Sequence, residues 1–198
     1  MNLTESETKL NLLRAFAGES QARNRYTFAA SLAKKQNLAS IADIFLFTAG
    51  QEKEHAEIFY RHLNALQGSS LRIDAAYPID PDSSIAALLH ASHKNEFEEY
   101  EDIYPAFAKK AEEEGFTQVA ASFRMIAEIE RTHGERFARF ASFADRQQLF
   151  ASDSECEWMC LNCGHIHKGK SAPSICPVCQ HNQGYFIRLQ DAPYTSLF

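Results

Sequence analysis

Four segments of this chain carry apolar residues at the three- and four-residue spacing of an amphipathic helix, and each stripe is broken near its middle by glutamate. The first stripe reads Leu12, Phe16, Glu19, Ala22, Tyr26 and Ala30. The second reads Ile41, Phe45, Thr48, Glu52, His55, Phe59 and Leu63. The third reads Leu89, Ser92, Glu96, Glu99, Ile103 and Phe107, and the fourth Val119, Phe123, Ile126, Glu130, His133, Phe137 and Phe140. A Glu-x-x-His pair on a lone helix is ordinarily a solvated face. Here the same positions share the buried face with Phe and Ile a turn above and below. Five unpaired carboxylates in a bundle core would cost many kcal/mol, and the stripes hold too few Lys or Arg to pair them. Either the carboxylates become neutral or a cation of high charge sits among them.

The count fits two metals. Five carboxylates carry −5, and two divalent irons would leave −1. Glu and His three apart lie on one helix face, so both can grip one cluster. Carboxylate oxygens with one imidazole per metal suit iron or manganese. One Glu from each of two helices plus Glu-x-x-His from each of the other two is the di-iron carboxylate pattern. The halves also repeat: Glu19 to Glu52 spans 33 residues and Glu96 to Glu130 spans 34. The second copy has Glu99 where the first has Ala22, one carboxylate more than a symmetric site needs.

The periodicity predicts helices over residues 5–34, 38–66, 83–114 and 117–146. Ser83 or Ser84 can cap the third, Gly115 ends it, and Pro105 predicts a kink near residues 102–104. The connections at Gln36 and Gly115 are short, whereas residues 67–82 are long and hold Gly68, Pro78 and Pro81. Two hairpins joined by one long crossover are the connectivity of a ferritin-like bundle. At 198 residues and 45% hydrophobic, the chain can build a sizeable core. A net charge of −6 with no basic block argues against nucleic acid or an anionic membrane as partner. No apolar run reaches the ~18 residues of a membrane span, and the N-terminus has no export pattern, so a cytoplasmic protein is expected.

All five cysteines fall in the last 43 residues. Residues 1–146 therefore read as a helical domain, 147–157 as a linker and 158–198 as a small module stapled by metal. Its motif is Cys160-x-x-Cys163, twelve residues, then Cys176-Pro-x-Cys179, two turns that each present two thiolates to one tetrahedral ion. Zinc would be structural and iron redox-active. Trp158, Tyr185 and Phe186 bracket the turns, either as a miniature core or as the apolar shell that tunes an iron–thiolate potential. Cys156 lies outside the spacing and reads as a free thiol.

AGESQARNRY (17–26), QEKEHA (51–56), EFEEYEDIYP (96–105), EIERTH (128–133), WMCLNCG (158–164) and CPVC (176–179) together resemble the rubrerythrin family over nearly the full chain. The resemblance implies an all-α ferritin-like four-helix bundle with a C-terminal rubredoxin-like domain. It implies Glu52 and Glu130 as bridging ligands of a non-haem di-iron centre, Glu19 as a terminal ligand of the first iron, and Glu96 with His133 as terminal ligands of the second. Glu99 and His55 would alternate at the first iron between oxidised and reduced states, and Tyr26 and Tyr104 would hydrogen-bond beside the site. Cys160, Cys163, Cys176 and Cys179 would hold one iron, with zinc as a substitute. The implied activity is an NAD(P)H-linked peroxidase of oxidative-stress defence. It would reduce hydrogen peroxide to water with electrons from a reductase or a rubredoxin.

Two other readings stay open: a ferroxidase or iron-handling protein, and a redox sensor or electron carrier. Storage would have no need of the cysteine module. A 30-residue helix is ~45 Å long, so a cysteine module at the bundle end stands far from mid-helix ligands in its own chain. A head-to-tail homodimer, which the resemblance also implies, shortens that path.

Overall fold

The computed structural model describes residues 2–80 and 84–193. Ser83 and Pro81, singled out in the sequence, and the last five residues lie outside them. Helices α1 (Thr8–Lys35) and α2 (Ala39–His62) form one hairpin. The second consists of α3 (Ile85–Glu98), a π-helical turn (Glu99–Ile103), α4 (Tyr104–Glu113) and α5 (Thr117–Asp145). Ser84 caps α3 by accepting from the Ala87 N–H at 3.1 Å. The hairpins close with the same turn. Asn37 (φ 59°) and Gly115 (φ 86°) sit in the left-handed region. The next N–H, of Leu38 or Phe116, returns to the carbonyl of Ala33 or Ala111 at 2.9 and 2.8 Å.

The π turn corrects the expected third helix. Pro105 predicts a kink at residues 102–104; instead the helix widens over Glu99–Ile103 and resumes with Pro105 in the first turn of α4. Pro105 has no N–H to return to the preceding turn, and the wider turn accommodates the loss. One residue is thereby added to the helix without rotating the turns beyond it. Glu19 to Tyr26 is seven residues and Glu96 to Tyr104 is eight, yet both tyrosines are buried. Beyond them Ala30 and Ala33 in the first hairpin match Ala108 and Ala111 in the second, all buried. The expected stripe of Ile103 and Phe107 therefore gives way to one shifted by a single position, and those two residues are only partly buried.

The bundle core is in two pieces. One gathers Tyr26, Phe45, Leu89 and Phe137, the other Leu12, Phe59, Tyr104 and Phe123. The glutamates and histidines lie between them. The crossover is tied to α1 by the Tyr77 hydroxyl, which donates to the Arg14 carbonyl at 2.8 Å, and by an Arg25–Asp80 ion pair at 2.8 Å. No helix among the described residues is long and apolar enough to cross a membrane.

The cysteine module is a three-stranded antiparallel sheet in the order β2-β1-β3, with β1 Ala151–Cys160, β2 Ile166–Ser171 and β3 Phe186–Arg188. Residues 151–157, expected in a linker, are the first part of β1. Their polar sequence hides a strand whose edge pairs with β2, as in Cys156 opposite Gly169. Trp158, Cys160, Ala172, Cys176 and Phe186 form the miniature core. The module packs on the end of its own bundle that carries the α1–α2 turn. Ile187 and Ala192 join the nearer core cluster, and Gly184 lies so close to the Asn37 carbonyl that no Cβ fits. The Arg188 guanidinium stands between the Phe143 and Trp158 rings, 3.7 and 4.9 Å from their centroids, and donates to the Gln148 and Ala151 carbonyls at 2.7 and 2.6 Å.

Candidate metal centre

Helices α1, α2, α3 and α5 each bring one glutamate to the layer between the two core clusters, and α2 and α5 add a histidine one turn later. Ligand atoms of Glu19, Glu52, His55 and Glu130 lie within 4.8 Å of one another, and so do those of Glu52, Glu96, Glu130 and His133. The two groups mirror each other. His55 Nδ1 stands 2.9 Å from Glu130 Oε1, 3.1 Å from Glu52 Oε2 and 3.8 Å from Glu19 Oε2. His133 Nδ1 stands 2.8 Å from Glu130 Oε2, 3.0 Å from Glu52 Oε1 and 3.7 Å from Glu96 Oε2. Glu52 and Glu130 thus turn one oxygen to each side, and Glu19 and Glu96 each serve one. The tyrosines cross over: Tyr104 donates to Glu19 Oε1 and Tyr26 to Glu96 Oε1.

What is left over is diagnostic. The inner oxygens of Glu19 and Glu96, both oxygens of Glu52 and Glu130, and both Nδ1 atoms are buried with no partner of hydrogen-bond geometry. Orphaned atoms of this kind are costly unless something binds them. Two clusters of carboxylate oxygens with one imidazole nitrogen each have the donor set of a di-iron site. The electrostatics agree. Burial raises Glu19, Glu99 and Glu96, the last to about 8, while His133 and His55 pull the equally buried Glu52 down to about 2. Burial works to lower both histidines, yet the carboxylates around them win and raise both.

Glu99 lies outside both four-residue groups. It sits in the π turn on the Glu19 side, where Glu19 is its strongest charged neighbour. Sequence reasoning misses Gln51, whose Oε1 lies 3.0 Å from His133 Nε2 and fixes that ring. It also misses Arg136, which donates to Thr48 Oγ1 at 2.9 Å and is a half-buried cation near the cluster. Gln51 precedes Glu52 in sequence, and only the packing of α2 on α5 shows where it points.

In the cysteine module all four Sγ atoms lie within 4.8 Å of one another, with Cys160–Cys179 and Cys163–Cys176 each at 3.7 Å. The two turns match. Gly164 (φ 77°) and Gln180 (φ 62°) follow the second cysteines in the left-handed region, and their N–H groups return to the Cys160 and Cys176 carbonyls at 2.8 and 3.0 Å. The His181 backbone N–H draws the Cys179 thiol down to about 5, whereas burial pushes Cys160 up to about 12. Cys160 and Cys176 are buried and Cys163 is exposed, so one edge of the cluster meets solvent.

A ferritin-like bundle with a paired Glu/His cluster, joined to a four-cysteine module, defines the class of di-iron carboxylate proteins with a rubredoxin-like electron-transfer domain. The comparisons narrow it. The rubrerythrin family profile matches residues 11–141, and the profile of the rubrerythrin rubredoxin-like domain matches residues 158–187. The chain is 47% identical to a rubrerythrin of Porphyromonas gingivalis over 91% of its own length and 89% of the relative's. It is 42% identical to a rubrerythrin of Nitratidesulfovibrio vulgaris, covering 93% and 95%. Among solved structures, fully reduced, all-ferrous nigerythrin superposes with a TM-score of 0.63 at 30% identity, covering 94% of this chain and 91% of that one. The chain belongs to the rubrerythrin family.

Proposed function

We propose that the protein reduces hydrogen peroxide to water, a reaction that consumes two electrons and two protons per O–O bond broken. The carrying observation is one chain that joins a paired Glu/His cluster, with an additional glutamate beside one half, to a four-cysteine cluster with an exposed edge. Glu52 and Glu130, which turn an oxygen to each side, would hold both irons, Glu19 would hold one of them, and Glu96 with His133 the other. When bound, a ferrous pair supplies the two electrons and the Lewis acidity that polarises the peroxide. Glu99 and His55 are alternative ligands on the Glu19 half, a hard carboxylate for the ferric charge and a neutral imidazole for the ferrous. Burial raises both Tyr26 and Tyr104, so each phenol keeps its proton, holds the outer oxygen of Glu96 or Glu19 and leaves the inner one for metal.

Residues 1–146 form the reducing unit and 158–198 the electron-delivery unit, in which Cys160, Cys163, Cys176 and Cys179 hold one iron. The donor upstream is an NAD(P)H-linked reductase or a rubredoxin. The module sits at Asn37, just past the end of α1, and Glu19 lies 16 residues down that helix from Lys35, ~24 Å at 1.5 Å per residue. Electron transfer weakens steeply over such a span, which supports a head-to-tail homodimer in which each module serves the partner's bundle. A ferroxidase or iron-handling protein would use the bundle alone; a sensor or carrier would not turn over.

The test is anaerobic. Iron-loaded, reduced protein mixed with hydrogen peroxide should oxidise in milliseconds to seconds, consume one peroxide per di-iron site and turn over when a reductase is supplied. Slow oxidation by peroxide with fast oxidation by dioxygen would overturn the reading in favour of ferroxidase.

A further inference from the structure

We infer that the cleft between α1, the crossover and the π turn binds the alkyl end of small organic hydroperoxides, a substrate class beyond hydrogen peroxide. The inference rests on the peroxidase reading above. The cleft has a volume of about 260 Å³ and runs from the crossover at Tyr77 and Pro78 to Glu99 and Tyr104. A water fills roughly 30 Å³ of liquid, and an apolar cavity of about 150 Å³ is enough for benzene. Hydrogen peroxide is close to water in size and leaves most of this space unused, whereas a butyl group fits.

The lining matches such a ligand. Ala15, Ile103, Phe107 and the Tyr77 ring give apolar walls, and the carboxylate of Glu99 with the Tyr104 ring closes the end nearest the metal centre. The cations at the rim are already satisfied. Arg14 is held by Glu7 and Asn11 at 2.6 and 2.7 Å, and Arg25 by Asp80 and Gln21 at 2.8 and 2.6 Å. A site whose guanidinium groups are paired selects a neutral ligand over an anion, and a hydroperoxide is neutral at physiological pH.

Gly18 carries the second observation. It lies in the interior of α1 with ordinary helical φ, where glycine costs roughly 0.5–1 kcal/mol against alanine. Gly134 in α5 has a packing reason for its missing side chain, since a Cβ there would stand 2.5 Å from Phe97. Gly18 has none. A Cβ would meet the Tyr77 ring at 3.6 Å and Glu99 Oε1 at 3.9 Å, both ordinary contacts. What glycine preserves is open space between the crossover and Glu99. The reaction is ROOH plus two electrons and two protons to ROH and water. The O–O bond breaks, the reduced iron pair supplies the electrons, and solvent supplies the protons.

The test compares hydrogen peroxide with tert-butyl hydroperoxide on the iron-loaded protein, its Gly18→Ala variant and its Gly18→Leu variant, together with a holoprotein crystal soaked in the product, tert-butyl alcohol. Wild-type protein is expected to turn over both peroxides, with kcat/KM values within about 100-fold. The alkyl-to-hydrogen-peroxide ratio should fall about threefold in Gly18→Ala and at least tenfold in Gly18→Leu. The alcohol should occupy the cleft against Ile103 and Phe107. Gly18→Ala keeps the test valid if the larger variant does not fold. Turnover of hydrogen peroxide alone, or an unchanged ratio in Gly18→Ala with no alcohol in the cleft, overturns the inference and leaves the peroxidase reading standing. Turnover of neither peroxide overturns that reading first, and the inference with it.

Discussion

The two halves of the carboxylate cluster share an inner geometry to within a few tenths of an ångström and differ in what surrounds it. On one side His133 is fully buried and Gln51 holds its far nitrogen. On the other, His55 has no such hydrogen bond among the described residues, Glu99 stands alongside, and a cleft opens past Gly18. The position matching Glu99 in the first hairpin is Ala22, which is buried in the core. This asymmetry supports the proposal that one half holds a ligand in a single arrangement while the other exchanges ligands and admits a substrate. On that proposal, a duplicated site divides labour between its copies without altering the atoms that face the metals.

The most damaging way to break this comparison is to remove a residue both halves share. Glu52→Ala takes an oxygen from each side, so both irons should be lost rather than one. The metal-free protein should also lose about 1–3 kcal/mol, since each buried histidine loses one of the carboxylates packed against it while Glu130 remains. Metal analysis and denaturant unfolding read both. Gln51→Leu frees only His133, making the fixed half resemble the loose one. It should weaken binding of one iron by roughly 10–100-fold and spare the other, which a stepwise ferrous titration resolves. Glu99→Ala makes the loose half resemble the fixed one. Two irons should remain, because Glu19, Glu52, His55, Glu96, Glu130 and His133 persist, but peroxide turnover should fall at least about tenfold, or ~1.4 kcal/mol in barrier. Full turnover in this variant would remove Glu99 from the mechanism. The smallest effect tests the hairpin turns. Gly115→Ala forces a side chain into the left-handed region and should cost about 1 kcal/mol. Asn37→Gly relieves a residue that already tolerates it and should shift stability by a few tenths at most. Thermal unfolding distinguishes them.

Much of this was legible in the residues. Glu19, Glu52, Glu96 and Glu130 announce themselves by interrupting apolar stripes, because no folded bundle buries them without compensation. The Cys160–Cys163 and Cys176–Cys179 spacing carries the second cluster unaided. What stayed hidden depends on contacts between elements or on departures from a regular period. Gln51 is one more polar residue on α2 until α5 packs against it. The strand at 151–157 is polar because its stability comes from backbone pairing with β2. The π turn defeats the third stripe, since counting at 3.6 residues per turn places Ile103 and Phe107 inward in place of Tyr104 and Ala108. The clue lies in the spacings: 33 residues between the glutamates of one hairpin and 34 in the other, seven to Tyr26 and eight to Tyr104.

That extra residue has a meaning at the level of the gene. From Glu96 to the end of α4 is 17 residues, against 16 from Glu19 to the end of α1, while the turn and the run to the second glutamate have equal length in both hairpins. The whole difference is one codon, and it falls between the glutamate and the tyrosine of the second copy, where the helix has widened to absorb it. Two like hairpins descended from a single ancestral segment could diverge in this way in one mutational event. The extra residue widens only the turn that carries Glu99 and leaves Tyr104, Ala108 and Ala111 on the face that Tyr26, Ala30 and Ala33 hold in the first copy.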